Sequence, residues 1–213
     1  MGCCDVNGLN GFFRGALVRW EAAAFRRYGP TRQQQRIVRL VAAESAGCSV
    51  LEVGCGIGAV TTTLLARGAA KGSYVDLSHD YLRTAKELAQ RAGVDGRAAF
   101  YRLDFAKEAA AVTPADIVIA DRVVCCYPDA ERLVGAVAEQ SRALLVFSYP
   151  RPFWLSRLLR RLLNLAMRLW GKDYRFFLHD PKGLLQAATR SGHRLREHHA
   201  LGFWQIAVFE RRP

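Results

Sequence analysis

An apolar run that breaks into three glycines at alternate positions, V-L-E-V-G-C-G-I-G-A-V over Val50–Val60, restricts this chain more than any other stretch. An extended segment that must turn at once into a helix, with its backbone close to a ligand, needs residues without a Cβ. Strand, glycine turn and helix together open an α/β sheet, whose ligands sit beyond the C-terminal ends of the strands. Two ligand types suit the turn. Gly54, Gly56 and Ala59 satisfy G-x-G-x-x-A, a dinucleotide pattern. Gly54, Gly56 and Gly58 also satisfy G-x-G-x-G after an acidic residue. Glu52 favours the second pattern, because a carboxylate beside the turn repels a pyrophosphate and attracts an ammonium or sulfonium.

From Ser49 onward, short β-like runs alternate with helix-like stretches. S-V-L-E-V, S-Y-V-D-L, A-A-F-Y-R-L, D-I-V-I-A and A-L-L-V-F-S-Y are the runs, nearly continuous in apolar residues. This texture predicts a mainly parallel sheet covered by helices on both faces. The segment of about 9–46 reads as helical, stopped at Gly29-Pro30 and restarted with Thr31 as a cap. A basic helical stretch follows at 153–170, and another helix begins at Asp180-Pro181. H-R-L-R-E-H-H-A-L and F-W-Q-I-A-V-F-E-R-R, joined at Gly202, predict an antiparallel hairpin at the sheet edge. With 213 residues, 51% hydrophobic and 23% charged, one globular domain with appendages is expected. No stretch approaches the roughly 18 apolar residues of a membrane span, and the start lacks the layout of a signal peptide. A cytoplasmic protein is expected. Cys3, Cys4, Cys48, Cys55, Cys125 and Cys126 show no spacing suited to zinc, so no metal is expected and the thiols are read as reduced.

Two further acids follow the next strands. Asp76 ends the second, where a carboxylate can accept both ribose hydroxyls of an adenosine. Asp104-Phe105 follows the third, where a carboxylate can accept from an adenine amino group while a ring packs on its face. Asp104 as the cap of a short helix and Phe105 as a core residue are the alternatives.

Taken in order, L-E-V-G-C-G-I-G, Y-V-D-L-S, R-L-D-F and A-D-I-V-I-A-D-R-V-V-C-C-Y-P-D make residues 48–148 resemble the class I S-adenosylmethionine-dependent methyltransferases. The resemblance implies a Rossmann-like seven-stranded, mainly parallel α/β sheet with helices on both faces. An N-terminal helical cap (1–46) would precede the methyltransferase domain (47–213), with a helical insertion after strand 5 (151–178). It implies S-adenosyl-L-methionine as cofactor, with Glu52, Gly54, Cys55, Gly56 and Gly58 beside the methionine portion. Asp76 would hold the ribose, Leu77 would flank the adenine, and Asp104 and Phe105 would meet its edge and face. Asp121 and Arg122 would lie near the methionine end, and Tyr28 is a candidate lid. Cys55 is alternatively just a small turn residue. D-R-V-V-C-C-Y-P-D-A-E-R-L-V and L-L-V-F-S-Y-P-R are similar to bacterial small-molecule methyltransferases grouped with magnesium-protoporphyrin O-methyltransferases.

The function expected is methyl transfer to an O or N atom of a small organic molecule. Displacement at a sulfonium needs alignment and desolvation, and a base only for some acceptors. His179, Tyr149 and Tyr127 are the candidate catalytic groups, with loop structure or packing as their alternative roles. Leu155, Leu158, Leu159, Leu162, Leu163 and Leu165 form an apolar stripe bordered by Arg157, Arg160, Arg161 and Arg168. Three uses are open to it: a roof over the active site, a membrane-surface contact through 153–170, or a homodimer interface. The net charge of +12, with 13 Lys/Arg against 4 Asp/Glu over 151–213, raises nucleic acid as an alternative substrate. Against it, no N-P-P-Y loop and no Pro-Cys nucleophile is present. A cyclisation of the cofactor's own aminobutyryl chain is a further alternative.

Overall fold

The computed structural model describes Gly8 and residues 15–212, so the Met1–Cys4 start and the chain just before the first helix lie outside the described residues. Two helices lead, α1 (Ala16–Tyr28) and α2 (Arg32–Ser45). Then come β1 (Ser49–Val53), α3 (Ala59–Ala66), β2 (Lys71–Val75), α4 (His79–Arg91) and β3 (Ala98–Tyr101). The short α5 (Phe105–Glu108), β4 (Ala115–Ala120), α6 (Ala130–Glu139) and β5 (Ser141–Pro150) complete the alternating part. The chain closes with α7 (Trp154–Leu169), α8 (Pro181–Arg190), β6 (His193–Leu201) and β7 (Trp204–Arg211).

The helix starts are chemically specified. Thr31 caps α2 through a reciprocal box, its hydroxyl accepting from Gln34 N–H while Gln34 Oε1 accepts from Thr31 N–H at 2.9 Å. Ser78 caps α4, Asp129 caps α6, and Asp180 caps α8 with Pro181 in the first turn. Gly58 enters α3 at φ 71°.

The sheet order is β3-β2-β1-β4-β5-β7-β6. The β1–β2, β1–β4, β2–β3 and β4–β5 pairs are parallel, and β7 runs antiparallel between β5 and β6. Side chains alternate between two cores, as a strand period of two requires. Leu51, Val118, Leu145 and Phe209 point to one face, under Leu133 and Val137 of α6 and Leu184 of α8. Val50, Ile117, Val146 and Val208 point to the other, under Ile37 of α2 and Leu64 of α3. Each such side chain, removed from water, contributes about 1.5–3 kcal/mol. The order reverses between β1 and β4, which opens a crevice at their C-terminal ends.

The insertion departs from the simplest expectation. Ser156 and Met167 are the buried residues of α7, while Leu155, Leu158, Leu159, Leu162 and Leu165 are exposed. The stripe faces away from the protein and does not roof the active site. The roofing face is the narrower one, where Leu163 and Met167 meet Tyr174, Phe176 and Trp204.

Candidate active site

A cavity of about 710 Å³ occupies the crevice, within the range of small-molecule sites. Glu52, Gly54, Cys55 and Gly56 border it from β1 and its turn, Asp76 and Leu77 from the end of β2, and Asp104 and Phe105 from the end of β3. Asp121, Arg122 and Tyr127 border it from beyond β4, and Tyr28 stands at the rim with its side chain largely exposed. Those sequence candidates therefore converge on one space.

The turn is shaped for close approach. Gly54 sits at φ 65°, and a Cβ there would lie 2.5 Å from Val123 Cγ2. Cys55 N–H donates to the Val75 carbonyl at 3.0 Å, tying the turn to β2. Gly56 N–H donates to Asp76 Oδ2 at 2.9 Å, and Ser78 N–H donates to Asp76 Oδ1 at 2.8 Å. The Asp76 carboxylate is thus fixed in plane at the cavity wall. Burial pushes its pKa up to about 6, against the pull of those backbone donors. Gly58 lies behind the wall, because a Cβ there would strike the Tyr74 ring at 2.5 Å. Its role is packing at the start of α3.

Glu52 is buried, and its Oε2 accepts from Thr61 N–H at 3.0 Å. Burial raises its pKa to about 7, opposed by Thr61 and reinforced by Asp121 and Asp76. A buried carboxylate with no cation beside it is costly, and an ammonium brought by a ligand would relieve that cost. Cys55 is held as a neutral thiol by burial first and by the Asp76 and Glu52 charges second, so it is a turn residue and no nucleophile.

Asp104 takes the cap position of α5 but makes no side-chain cap hydrogen bond. Its carboxylate instead accepts from the Tyr127 hydroxyl at 3.0 and 3.2 Å, and Lys107 Nζ lies 2.8 Å away. Phe105 belongs both to the core and to the cavity wall. Arg122 carries the only positive φ among the described non-glycine residues, 57°. Its N–H donates to Ser148 Oγ at 2.8 Å, and that hydroxyl donates to Asp121 Oδ1 at 2.7 Å. Gln33 Nε2 donates to the same two oxygens from α2. Local strain held by such a network is characteristic of functional sites.

Two of the catalytic candidates lie off the cavity. Tyr149 is fully buried in the sheet core, with its hydroxyl 2.8 Å from His198 Nε2, and burial raises its pKa to about 12. The alternation of β5 turns residue 149 into the layer under α6 and α8. His179 Nε2 lies 3.1 Å from the Tyr127 carbonyl, and burial lowers its pKa. It braces the loop after β4 from behind. Tyr127 does line the cavity, but its hydroxyl is committed to Asp104, and burial followed by that contact raises its pKa.

The helical cap supplies residues that no motif announced. Glu21, Phe25, Thr31 and Gln34 border the cavity, and Tyr81 of α4 donates to Glu21 Oε2 at 2.9 Å across it. Five carboxylates (Glu21, Glu52, Asp76, Asp104 and Asp121) thus surround one space in a protein of net charge +12. The far side is mostly apolar, with Cys125, Cys126, Tyr174, Phe176 and Trp204. The Cys125–Cys126 repeat was visible in the sequence, yet nothing in it indicated which way the thiols point.

Comparisons with known proteins agree with this geometry. Residues 50–145 match the model of a family described as a methyltransferase domain. The ribosomal protein L11 methyltransferase of Edwardsiella ictaluri (strain 93-146) is 29% identical over 99 residues, 46% of this chain and 33% of that protein. The chain thus spans about a third of the length of that curated relative. Magnesium protoporphyrin IX methyltransferase from Synechocystis PCC 6803, solved with bound SAH, has a TM-score of 0.74 at 20% identity, covering 96% of this chain and 98% of that one. An O-methyltransferase family protein from Burkholderia thailandensis has a TM-score of 0.71 at 16% identity, covering 95% of this chain and 62% of that one. These structural likenesses establish the fold.

Proposed function

We propose that this chain, whose residues 50–145 match a methyltransferase-domain family, is a class I S-adenosylmethionine-dependent methyltransferase that transfers a methyl group to an O or N atom of a small, largely apolar organic molecule. The observation that carries the reading is the set of three carboxylates, Glu52, Asp76 and Asp104, at the ends of three adjacent strands around one cavity. An amino acid, a ribose and an adenine in series would meet them in that order. The anionic wall suits a cationic cofactor and repels a dinucleotide's pyrophosphate.

The cofactor, when bound, supplies an electrophilic methyl group and a good leaving group. The chain's own work is then placement and exclusion of water. Glu52 would hold the amino group, Asp76 the two ribose hydroxyls, and Asp104 the exocyclic amine, with Leu77 and Phe105 against the ring faces. The wall of Cys125, Cys126, Tyr174, Phe176 and Trp204 would seat the acceptor. None of the five histidines lines the cavity, and the Tyr127 hydroxyl is engaged with Asp104. A carboxylate or a neutral amine would need no base, and for an acceptor that does lose a proton the carboxylates left over by the cofactor, Glu21 and Asp121, are the groups on the cavity wall that could take it.

The test is incubation with labelled S-adenosylmethionine, with and without a cell extract, followed by mass spectrometry. S-adenosylhomocysteine formed only with extract, and unaffected by nuclease, is the expected result. Loss of product on nuclease treatment would move the acceptor to nucleic acid. Methylthioadenosine formed without an acceptor would mean cyclisation of the cofactor.

A further inference from the structure

The widest apolar face of α7 is turned to solvent. Leu155, Leu158, Leu159, Leu162 and Leu169 follow i, i+3, i+4, i+7 and i+14, so they share one side of the helix. Their exposure is high: 55% at Leu162 and 76% at Leu169. Trp154 and Trp170 stand at the two ends of the helix, exposed by 73% and 70%. Soluble monomers rarely leave a contiguous apolar patch larger than a few hundred Å².

The charges beside it have one sign. Arg157, Arg161 and Arg168, at i, i+4 and i+11, run along one edge of the stripe. With Arg151, Arg160 and Lys172 they make six cations over residues 151–172, a stretch without a single acidic residue. Basic polar edge, leucine face and flanking tryptophans are the composition of a helix that lies in a membrane interface. The 16 residues reach about 24 Å, and no helix among the described residues is long and apolar enough to cross a membrane.

We propose that α7 docks the protein on an anionic lipid bilayer, leucines in the acyl boundary and arginines on the headgroup phosphates. A second copy of the chain fits less well. Packing two stripes together would bring two arginine edges near one another with no carboxylate from this segment to pair them. The proposal is independent of the methyl-transfer reading. It does have a spatial corollary: the inner face of α7 touches Tyr174 and Cys126, which border the cavity, so the bilayer would lie one helix away from it.

The full chain is mixed with phosphatidylcholine vesicles, with and without phosphatidylglycerol, and sedimented. Binding to the anionic vesicles, weakening as salt rises, is expected. L158E/L162E should lower the partition at least about tenfold with an unchanged circular dichroism spectrum and melting temperature. R157Q/R161Q/R168Q should remove the preference for phosphatidylglycerol, and this variant alone decides the matter if the leucine variant does not fold. The proposal is overturned if the wild type ignores anionic vesicles, or if both variants bind them as the wild type does. A dimer that L158E/L162E disperses, with no vesicle binding, would assign the stripe to a second copy and overturn it equally.

Discussion

Replacing Glu52 by glutamine should produce a cofactor-free protein that is more stable at pH 8 and a poorer binder of S-adenosylmethionine. Burial holds the Glu52 carboxyl at a pKa of about 7, where an ordinary glutamate titrates at 4.5. The folded chain therefore binds the proton more tightly than the unfolded chain, and stability falls as pH rises from 4.5 through 7. At about 1.4 kcal/mol per pH unit, ionised Glu52 costs the cofactor-free fold about 3 kcal/mol at pH 8. Glutamine keeps an oxygen for Thr61 N–H and carries no charge. For a domain of this size the gain corresponds to roughly 6–12 °C in melting temperature, shrinking to below about 1 kcal/mol at pH 5. Affinity for the cofactor should drop by about 10–100-fold at pH 8, the worth of a hydrogen bond to a charged group. Thermal melts at the two pH values and calorimetric titration measure both effects. A stability gain that ignores pH, or undiminished affinity in E52Q, would refute the reasoning.

Three other outcomes are expected. Asp76→Ala should weaken S-adenosylmethionine binding at least about tenfold, because it removes the proposed ribose acceptor and frees the Gly56 and Ser78 N–H groups at once; an unchanged dissociation constant by calorimetry would count against the assignment. Gly54→Ala should cost about 2–4 kcal/mol in denaturant melts, from the left-handed backbone and the collision with Val123, and V123A should restore part of it. Tyr149→Phe should lose about 1 kcal/mol with the His198 hydrogen bond yet leave cofactor affinity within about twofold, where a larger drop would return Tyr149 to the site.

The alternating part of the fold was legible because each strand is apolar and each turn carries its own chemistry. Ser49–Val53 and His193–Leu201 coincide with the runs read from the sequence, and the hairpin joined at Gly202 does form the edge of the sheet. Four of the cavity's five carboxylates, Glu52, Asp76, Asp104 and Asp121, were legible for a related reason: they lie at or just past strand ends, and strand ends face the crevice. Side-chain direction was less so. Tyr149 also sits near a strand end, but its parity on β5 points it into the core. Helical periodicity gathered Leu155, Leu158, Leu159, Leu162 and Leu165 on one side correctly, but Leu163, read as part of the same stripe, turns inward with Met167. It could not say whether that side would be covered, and Ser156, one of the two residues that sit inside with Met167, is polar. Glu21, Gln33 and Tyr81 reach the site through tertiary packing of the cap, which leaves no pattern along the chain. Thr31 was readable as the cap of α2, but nothing along the chain placed that helix start beside the cavity.

The Ser148 hydroxyl accepts from Gln33 and Arg122 and donates to Asp121, which uses its full capacity. Through that one oxygen the leading helices, the fourth strand and the fifth strand share a junction. Protein engineers who graft a foreign N-terminal segment here to alter acceptor choice must therefore supply a replacement amide at the Gln33 position. Without it, the grafted chimera would leave Asp121 leaning on the Ser148 hydroxyl and the neighbouring Arg122 guanidinium alone, with the tie between the cap and the sheet cut.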